Sequence, residues 1–203
     1  MTDTERVLDH DADEPNVFTQ DMVGWEPWLP PLQEADLTER HWQALVDRGR
    51  SKSAYFMLLA RDPDILEFRT RTDKDIFYNP DAGLPRAERE LAATATSRLN
   101  GCIYCASVHA RFASQHSKRR DDVQKLLDEG TNVRIDPRWD AIIDAAVALS
   151  ATPSDFGPSH VDALRATGMD DQAIADAIYA ISFFNWANRL MLSLGPATKA
   201  AAK

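Results

Sequence analysis

Cys102-Ile103-Tyr104-Cys105 holds the only two cysteines of the 203-residue chain, and His109 follows the second by four residues. This set can do thiol chemistry. The thiolate is both the nucleophile and the metal ligand, and a free cysteine, with a pKa of about 8.5, needs help to form it near neutrality. If the segment is helical, positions 102, 105 and 109 fall on one face at about 100° per residue, so both sulfurs and the imidazole look the same way. An imidazole one turn from Cys105 can take its proton, and a helix starting near Gly101 favours an anion on Cys102. A second thiol three residues away captures an oxidised sulfur as a disulfide before it is overoxidised.

Three readings of this cluster stand side by side. The first is thiol redox catalysis, of which a lone Cys-x-x-Cys is the usual sign in a cytosolic chain. The second is a metal site of two cysteines, His109 and a carboxylate, although no second Cys or His pair is present to close it. The third is two small buried apolar side chains and an incidental histidine, which leaves the spacing unexplained. Two carboxylates, Glu88 and Glu90, precede the cysteines at the start of a helix, where negative charge is favourable. Glu88 reads as a solvated charge. Glu90 shares its helix with Leu91, Ala93 and Thr94, and a kink at Gly101 would fold the sulfurs back beside it, which spacing alone leaves open.

The elements that must position these groups read as helices throughout. Pro85 suits a first helical position, Arg86 to Leu99 follow as an Ala- and Thr-rich helix, and Asn100-Gly101 interrupts it before a cysteine helix that runs to about Ser117. Upstream, Asp36 to Glu39 cap a helix with an apolar stripe through Arg50, residues 53 to 61 form a short apolar helix, and Pro63 opens another. Downstream, one helix ends near Gly130, Asp136-Pro137 caps a second through Ser150, and Ser159 to Thr167 and Asp170 to Leu194 complete the set. Asn185, Asn188 and Arg189 on the last helix need polar partners if buried, either across helices or in a pocket beside the cysteines. Roughly nine helices and no persuasive strand predict an all-α domain over residues 36–203.

Residues 1–35 read as an arm. The first sixteen are polar, acidic and without periodicity, which predicts disorder or loose order. Trp25 and Trp28 then stand among Pro27, Pro30 and Pro31, an extended apolar strap to be buried on the chain's own body or on a neighbouring subunit. The net charge of −9 belongs to this end, since residues 1–39 hold eleven Asp and Glu against one Arg. The remaining body is nearly neutral and without a basic patch, which argues against nucleic acid, and the acidic arm argues against anionic membranes. No apolar run approaches a span of about 18 residues and no secretory signal is present, so a cytoplasmic location is expected.

The run Leu84-Pro85-Arg86-Ala87-Glu88-Arg89-Glu90-Leu91, followed by Asn100-Gly101-Cys102-Ile103-Tyr104-Cys105 and His109, closely resembles the alkylhydroperoxidase D-like (AhpD-like) members of the carboxymuconolactone decarboxylase superfamily. The family pattern of a glutamate, twelve residues, Cys-x-x-Cys, three residues and a histidine is met by Glu90, Cys102, Cys105 and His109. Phe183-Phe184-Asn185-Trp186-Ala187-Asn188-Arg189 also resembles the Asn-Arg helix near the end of these domains, and the whole chain is most similar to the peroxidase-related branch. The resemblance implies an all-helical fold that forms homo-oligomers and needs no bound cofactor. It implies a relay in which Glu90 and His109 deprotonate Cys105, attack of Cys105 on a hydroperoxide, and resolution by Cys102. An external dithiol or thioredoxin-like donor then reduces the disulfide. Some members carry a histidine where this chain has Tyr104, which removes one acid-base group. Alternatives are a general dithiol-disulfide oxidoreductase, a redox-sensing oligomeric protein, or a decarboxylase-type relative in which the redox pair would have no role.

Overall fold

The computed structural model describes residues 7–10 and 13–199. Among them nine α-helices and a single pair of two-residue strands make an all-α protein. The helices are α1 (Glu39–Ala44), α2 (Ala54–Leu59), α3 (Pro63–Tyr78), α4 (Arg86–Leu99), α5 (Ile103–Ser117), α6 (Arg120–Glu129), α7 (Pro137–Ser150), α8 (Pro158–Ala166) and α9 (Asp171–Leu194). Strands β1 (Gly24–Trp25) and β2 (Ala197–Thr198) pair antiparallel, Gly24 opposite Thr198.

Helix starts follow local chemistry. Asp62, Asp136 and Asp170 each accept from backbone N–H groups of the first turn, and Pro63 and Pro137 occupy the position whose N–H would be unpaired in any case. α4 is the central helix, packed against α5, α7 and α9. Its run Ala92-Ala93-Thr94-Ala95-Thr96-Ser97 is buried throughout. Small side chains let three helices approach at once, and the Thr94 and Thr96 hydroxyls satisfy themselves by donating to the carbonyls of Glu90 and Ala92. Leu91, Ile142, Ile143 and Ile181 fill the space between these helices.

Three expectations are corrected. The stripe from Leu37 to Arg50 is no continuous helix: α1 stops at Ala44, Val46 takes a φ of 63°, and a 3-10 turn over Arg48–Lys52 follows, with Asp47 accepting from the Gly49 N–H. Asp47 competes with the helix for backbone partners and prevails. Glu88 is not a solvated charge. It is buried and held by Arg138 through two bonds of 2.6 and 2.7 Å, which tie α4 to α7. Of the N-terminal sixteen residues, 1–6 and 11–12 lie outside the described residues, but Leu8 donates to the Trp28 carbonyl at 2.7 Å and His10 Nε2 lies 2.6 Å from the Pro27 carbonyl. Leu8 and His10 are therefore tied to the strap by hydrogen bonds.

The strap lies on the chain's own body. Glu26 and Trp28 donate backbone N–H bonds to Pro196 and Leu194, Leu32 donates to Met57, and the Trp25 indole donates to the Gly195 carbonyl at 3.0 Å. Gly195 admits this approach because a side chain there would strike the Glu26 carbonyl.

Candidate active site

The turn between α4 and α5 sets the position of both sulfurs. Gly101 ends α4 in the left-handed region at φ 81°, and the Cys102 N–H closes the turn onto the Ser97 carbonyl at 3.0 Å. Cys102 is extended (φ −84°, ψ 91°) and precedes the first helical residue, Ile103. Cys102 is therefore not on the helical face with Cys105 and His109; it is the cap of that helix, and it reaches Cys105 from the end. The sulfurs lie 2.8 Å apart, and both cysteines are free.

The antiparallel return of α5 along α4 brings His109 beside Glu90. His109 Nδ1 lies 2.6 Å from Glu90 Oε2, and Glu90, 1% exposed, also accepts from Arg86 Nε at 3.1 Å. A carboxylate can only accept, so Nδ1 is the donor and Nε2 is left as the free ring nitrogen. Phe184, with its ring edge-on at 4.1 Å, and Phe77 at 5.0 Å hold the imidazole plane. Neither sulfur is hydrogen-bonded to the imidazole, but Cys105, His109 and Glu90 line the same cavity of about 190 Å³. Cys102 lines a second cavity of about 200 Å³, together with Trp25 and Trp28 of the strap and Met191. Tyr104 lines both.

Burial pushes the Cys105 thiol well above the ordinary thiol range, and contact with Cys102 raises it further. The Cys102 thiol is lowered, first by the hydrogen bond with Cys105, against the cost of its burial. One negative charge on the pair therefore rests on Cys102, and the titration belongs to the pair. Burial also raises the Tyr104 phenol, which stays protonated near neutrality and offers a donor where a histidine would offer a base. Tyr55 in the Cys105 cavity is pushed up to about 12 by burial.

Asn188 and Asn185 pair across helices. Asn188, fully buried, donates to Ser97 Oγ at 3.0 Å and accepts from Asn100 at 3.1 Å, while Asn185 accepts from Asn100 at 3.0 Å and donates to Ser150. Asn188 also acts on both thiols, lowering each. Among the described residues no three His, Cys, Asp or Glu side chains converge as metal ligands. Sequence reasoning missed Arg69 and Tyr55, which face the Cys105 cavity from α3 and α2. The available signal was an arginine in register with the buried Leu66, Thr70 and Phe77.

An all-helical protein with a glutamate-histidine couple and a Cys-x-x-Cys at a helix start matches the pattern read from the motif. Residues 63–148, which contain Glu90, both cysteines and His109, match the model of the Carboxymuconolactone decarboxylase family. The fold is shared with the alkylhydroperoxidase AhpD core structure of an uncharacterized peroxidase-related protein from Ralstonia eutropha JMP134 (TM-score 0.67, 22% identity, 92% of each chain). It is shared also with an uncharacterized peroxidase-related protein from Silicibacter sp. TM1040 (TM-score 0.64, 19% identity, 91% of this chain and 90% of that one). The uncharacterized protein YdfG of Bacillus subtilis (strain 168) is 22% identical over 126 residues, 62% of this chain and 84% of its own length. At these identities the likeness to the two solved structures is one of fold.

Proposed function

We propose that the protein is a thiol-dependent hydroperoxide reductase. The thiolate of Cys105 attacks the terminal oxygen of a hydroperoxide, the O–O bond breaks, and the departing alkoxide or hydroxide takes a proton to leave as alcohol or water. Cys105 is then a sulfenic acid. Cys102 displaces its hydroxide, which leaves as water, and an internal disulfide forms. An external dithiol or thioredoxin-like donor reduces that disulfide, so one hydroperoxide consumes two thiols. Proton removal is the step that burial of Cys105 opposes, and it is the work assigned to His109 at Nε2, with Glu90 stabilising the imidazolium.

The observation that carries this reading is that Cys105 shares a cavity with the buried Glu90–His109 couple while its resolving partner lies in contact at 2.8 Å outside that cavity. Exposures of 5% for Cys105 and 1% for Cys102 favour a small oxidant as the group attacked. No helix among the described residues is long and apolar enough to cross a membrane, and a cytoplasmic setting that keeps thiols reduced belongs to the same reading. Association of copies belongs to it too, supported by the exposed rings of Tyr179 and Trp186 on α9.

Turnover of tert-butyl hydroperoxide with dithiothreitol tests the roles. Cys105→Ser abolishes it, and Cys102→Ser leaves a sulfenic acid on Cys105 that dimedone captures. Dimedone adducts on Cys102 in the Cys105→Ser protein, with turnover retained, would reverse the two assignments.

A further inference from the structure

The Cys105 cavity holds a cation outside the Glu90–His109 couple, one whose charge favours the Cys105 thiolate. Arg69 on α3 has a side chain only 9% exposed, and its Nε and Nη1 have no hydrogen-bond partner. Its single charged contact is Asp73 Oδ1, 3.5 Å from Nη2. The guanidinium carbon stands 5.7 Å from the ring centres of Tyr55 and Phe56 and 5.3 Å from that of Phe183, a setting that fixes the fork's plane and keeps water away. The Tyr55 hydroxyl, also buried, lies beside this guanidinium, which lowers its pKa against the effect of burial, and makes no well-aligned hydrogen bond. Arg69, Tyr55, Phe56 and Asp73 line the cavity that Cys105 lines.

Buried donors are ordinarily paired, because an unpaired one has lost its water and gained nothing. Two guanidinium nitrogens and an adjacent phenol, none with a well-formed hydrogen bond, in one cavity are a strong departure. The other charges there are accounted for: Glu90 is held by Arg86 and His109, and Asp73 faces only the Nη2 side of Arg69. The phenol of Tyr55, with burial holding its proton, offers a donor to an anion across the physiological range. The remaining wall is apolar, with Phe77, Val108, Phe112 and Phe184 among its residues.

We infer that Arg69 and Tyr55 form a carboxylate-binding site, so that the hydroperoxide reduced at Cys105 is a compact organic acid with an apolar body. The size follows from the cavity: about 190 Å³ compares with roughly 150 Å³ for a cavity that admits benzene, which sets a body of one ring or about six carbons. The carboxylate seats on Arg69, and the apolar body spans the aromatic wall toward the thiol. As a statement about substrate this rests on the hydroperoxide-reductase reading; as a statement about binding it does not.

Binding and turnover are therefore measured separately on the reduced full-length protein. By calorimetry, benzoate binds at least about tenfold more tightly than benzamide, the advantage of a charge-assisted pair over a neutral one. Arg69→Met removes that preference, Arg69→Lys restores part of it, and Tyr55→Phe, which changes no volume to speak of, weakens benzoate severalfold. Equal binding of benzoate and benzamide by the wild-type protein overturns the site without recourse to any variant. In turnover, 6-hydroperoxyhexanoate has a KM at least about tenfold below that of hexyl hydroperoxide. Equal KM values for the two overturn the substrate assignment even if both are reduced. If neither is reduced while benzoate keeps its Arg69-dependent preference, the reductase reading falls and the carboxylate site stands.

Discussion

At the scale of residues, Cys105 and Cys102 divide the chemistry by environment. Burial and the neighbouring sulfur keep the proton on Cys105, and the contact that raises Cys105 lowers Cys102. A folded-state pKa raised above the ordinary value means that the thiolate of Cys105 is scarce at pH 7 and accumulates only as pH rises past the usual thiol value of about 8.5. Alkylation of Cys105 by iodoacetamide, read by peptide mass, is expected to climb with pH beyond that point, while Cys102 reaches its plateau at lower pH. Cys102→Ala removes the second cause and leaves the first, so the Cys105 profile moves down yet stays above that of a free thiol, with a gain of about tenfold in rate at pH 8. His109→Gln moves it the other way. A Cys105 profile unchanged by either substitution would remove both partners from control of the thiol.

At the scale of elements, the site depends on the junction of α4, α5 and α9. Gly101, Cys102 and Ser97 turn the chain, and Asn100 and Asn188 fasten that turn to α9. Asn188→Ala leaves the Ser97 hydroxyl and the Asn100 amide short of a partner in a dry site, which costs about 2 kcal/mol. For a chain of this length that is a fall in Tm of about 4–8 °C by thermal unfolding. Because Asn188 also favours the Cys102 anion, the same variant is expected to react with iodoacetamide at Cys102 only at higher pH. A Tm within a degree of wild type would mean that the pair is not structural.

Much of this level was legible in the residues. Asp-Pro starts at 62–63 and 136–137 carry their own signal, Pro137–Ser150 begins at its Asp136 cap, and Arg86–Leu99 ends at the Gly101 interruption, although Pro85 stands just before that helix and not in its first turn. What local pattern did not contain was Cys102 standing outside its helix. Residue spacing places it on the face of Cys105 and His109, but Gly101 at positive φ leaves one extended residue before α5. Glu88 and Glu90 likewise carry the same local charge signal. Only the packing of α7 on one side and α5 on the other makes the first a tie to Arg138 and the second the partner of His109.

At the scale of the whole molecule, the Pro-rich strap is placed at its tryptophan end by contacts more than 150 residues away in sequence. Trp25 reaches Gly195 and forms part of the wall of the Cys102 cavity. The two sulfurs thus face separate cavities on either side of one contact, with the strap over one and α2 and α3 over the other. Arg69 and Tyr55 come from those latter helices; the register of Arg69 with Leu66 and Thr70 signals its burial, but nothing near either residue in sequence marks it as a neighbour of Cys105. The arrangement makes sense of a thiol pair whose members have different tasks, and it can be tested on the intact chain.

That test is the mass and free-thiol count of the reduced protein before and after one equivalent of an organic hydroperoxide. The account predicts loss of both thiols, a mass decrease of about 2 Da as two S–H hydrogens leave, and full reversal by a dithiol. Two thiols still titratable at unchanged mass, with the hydroperoxide left intact, would contradict it.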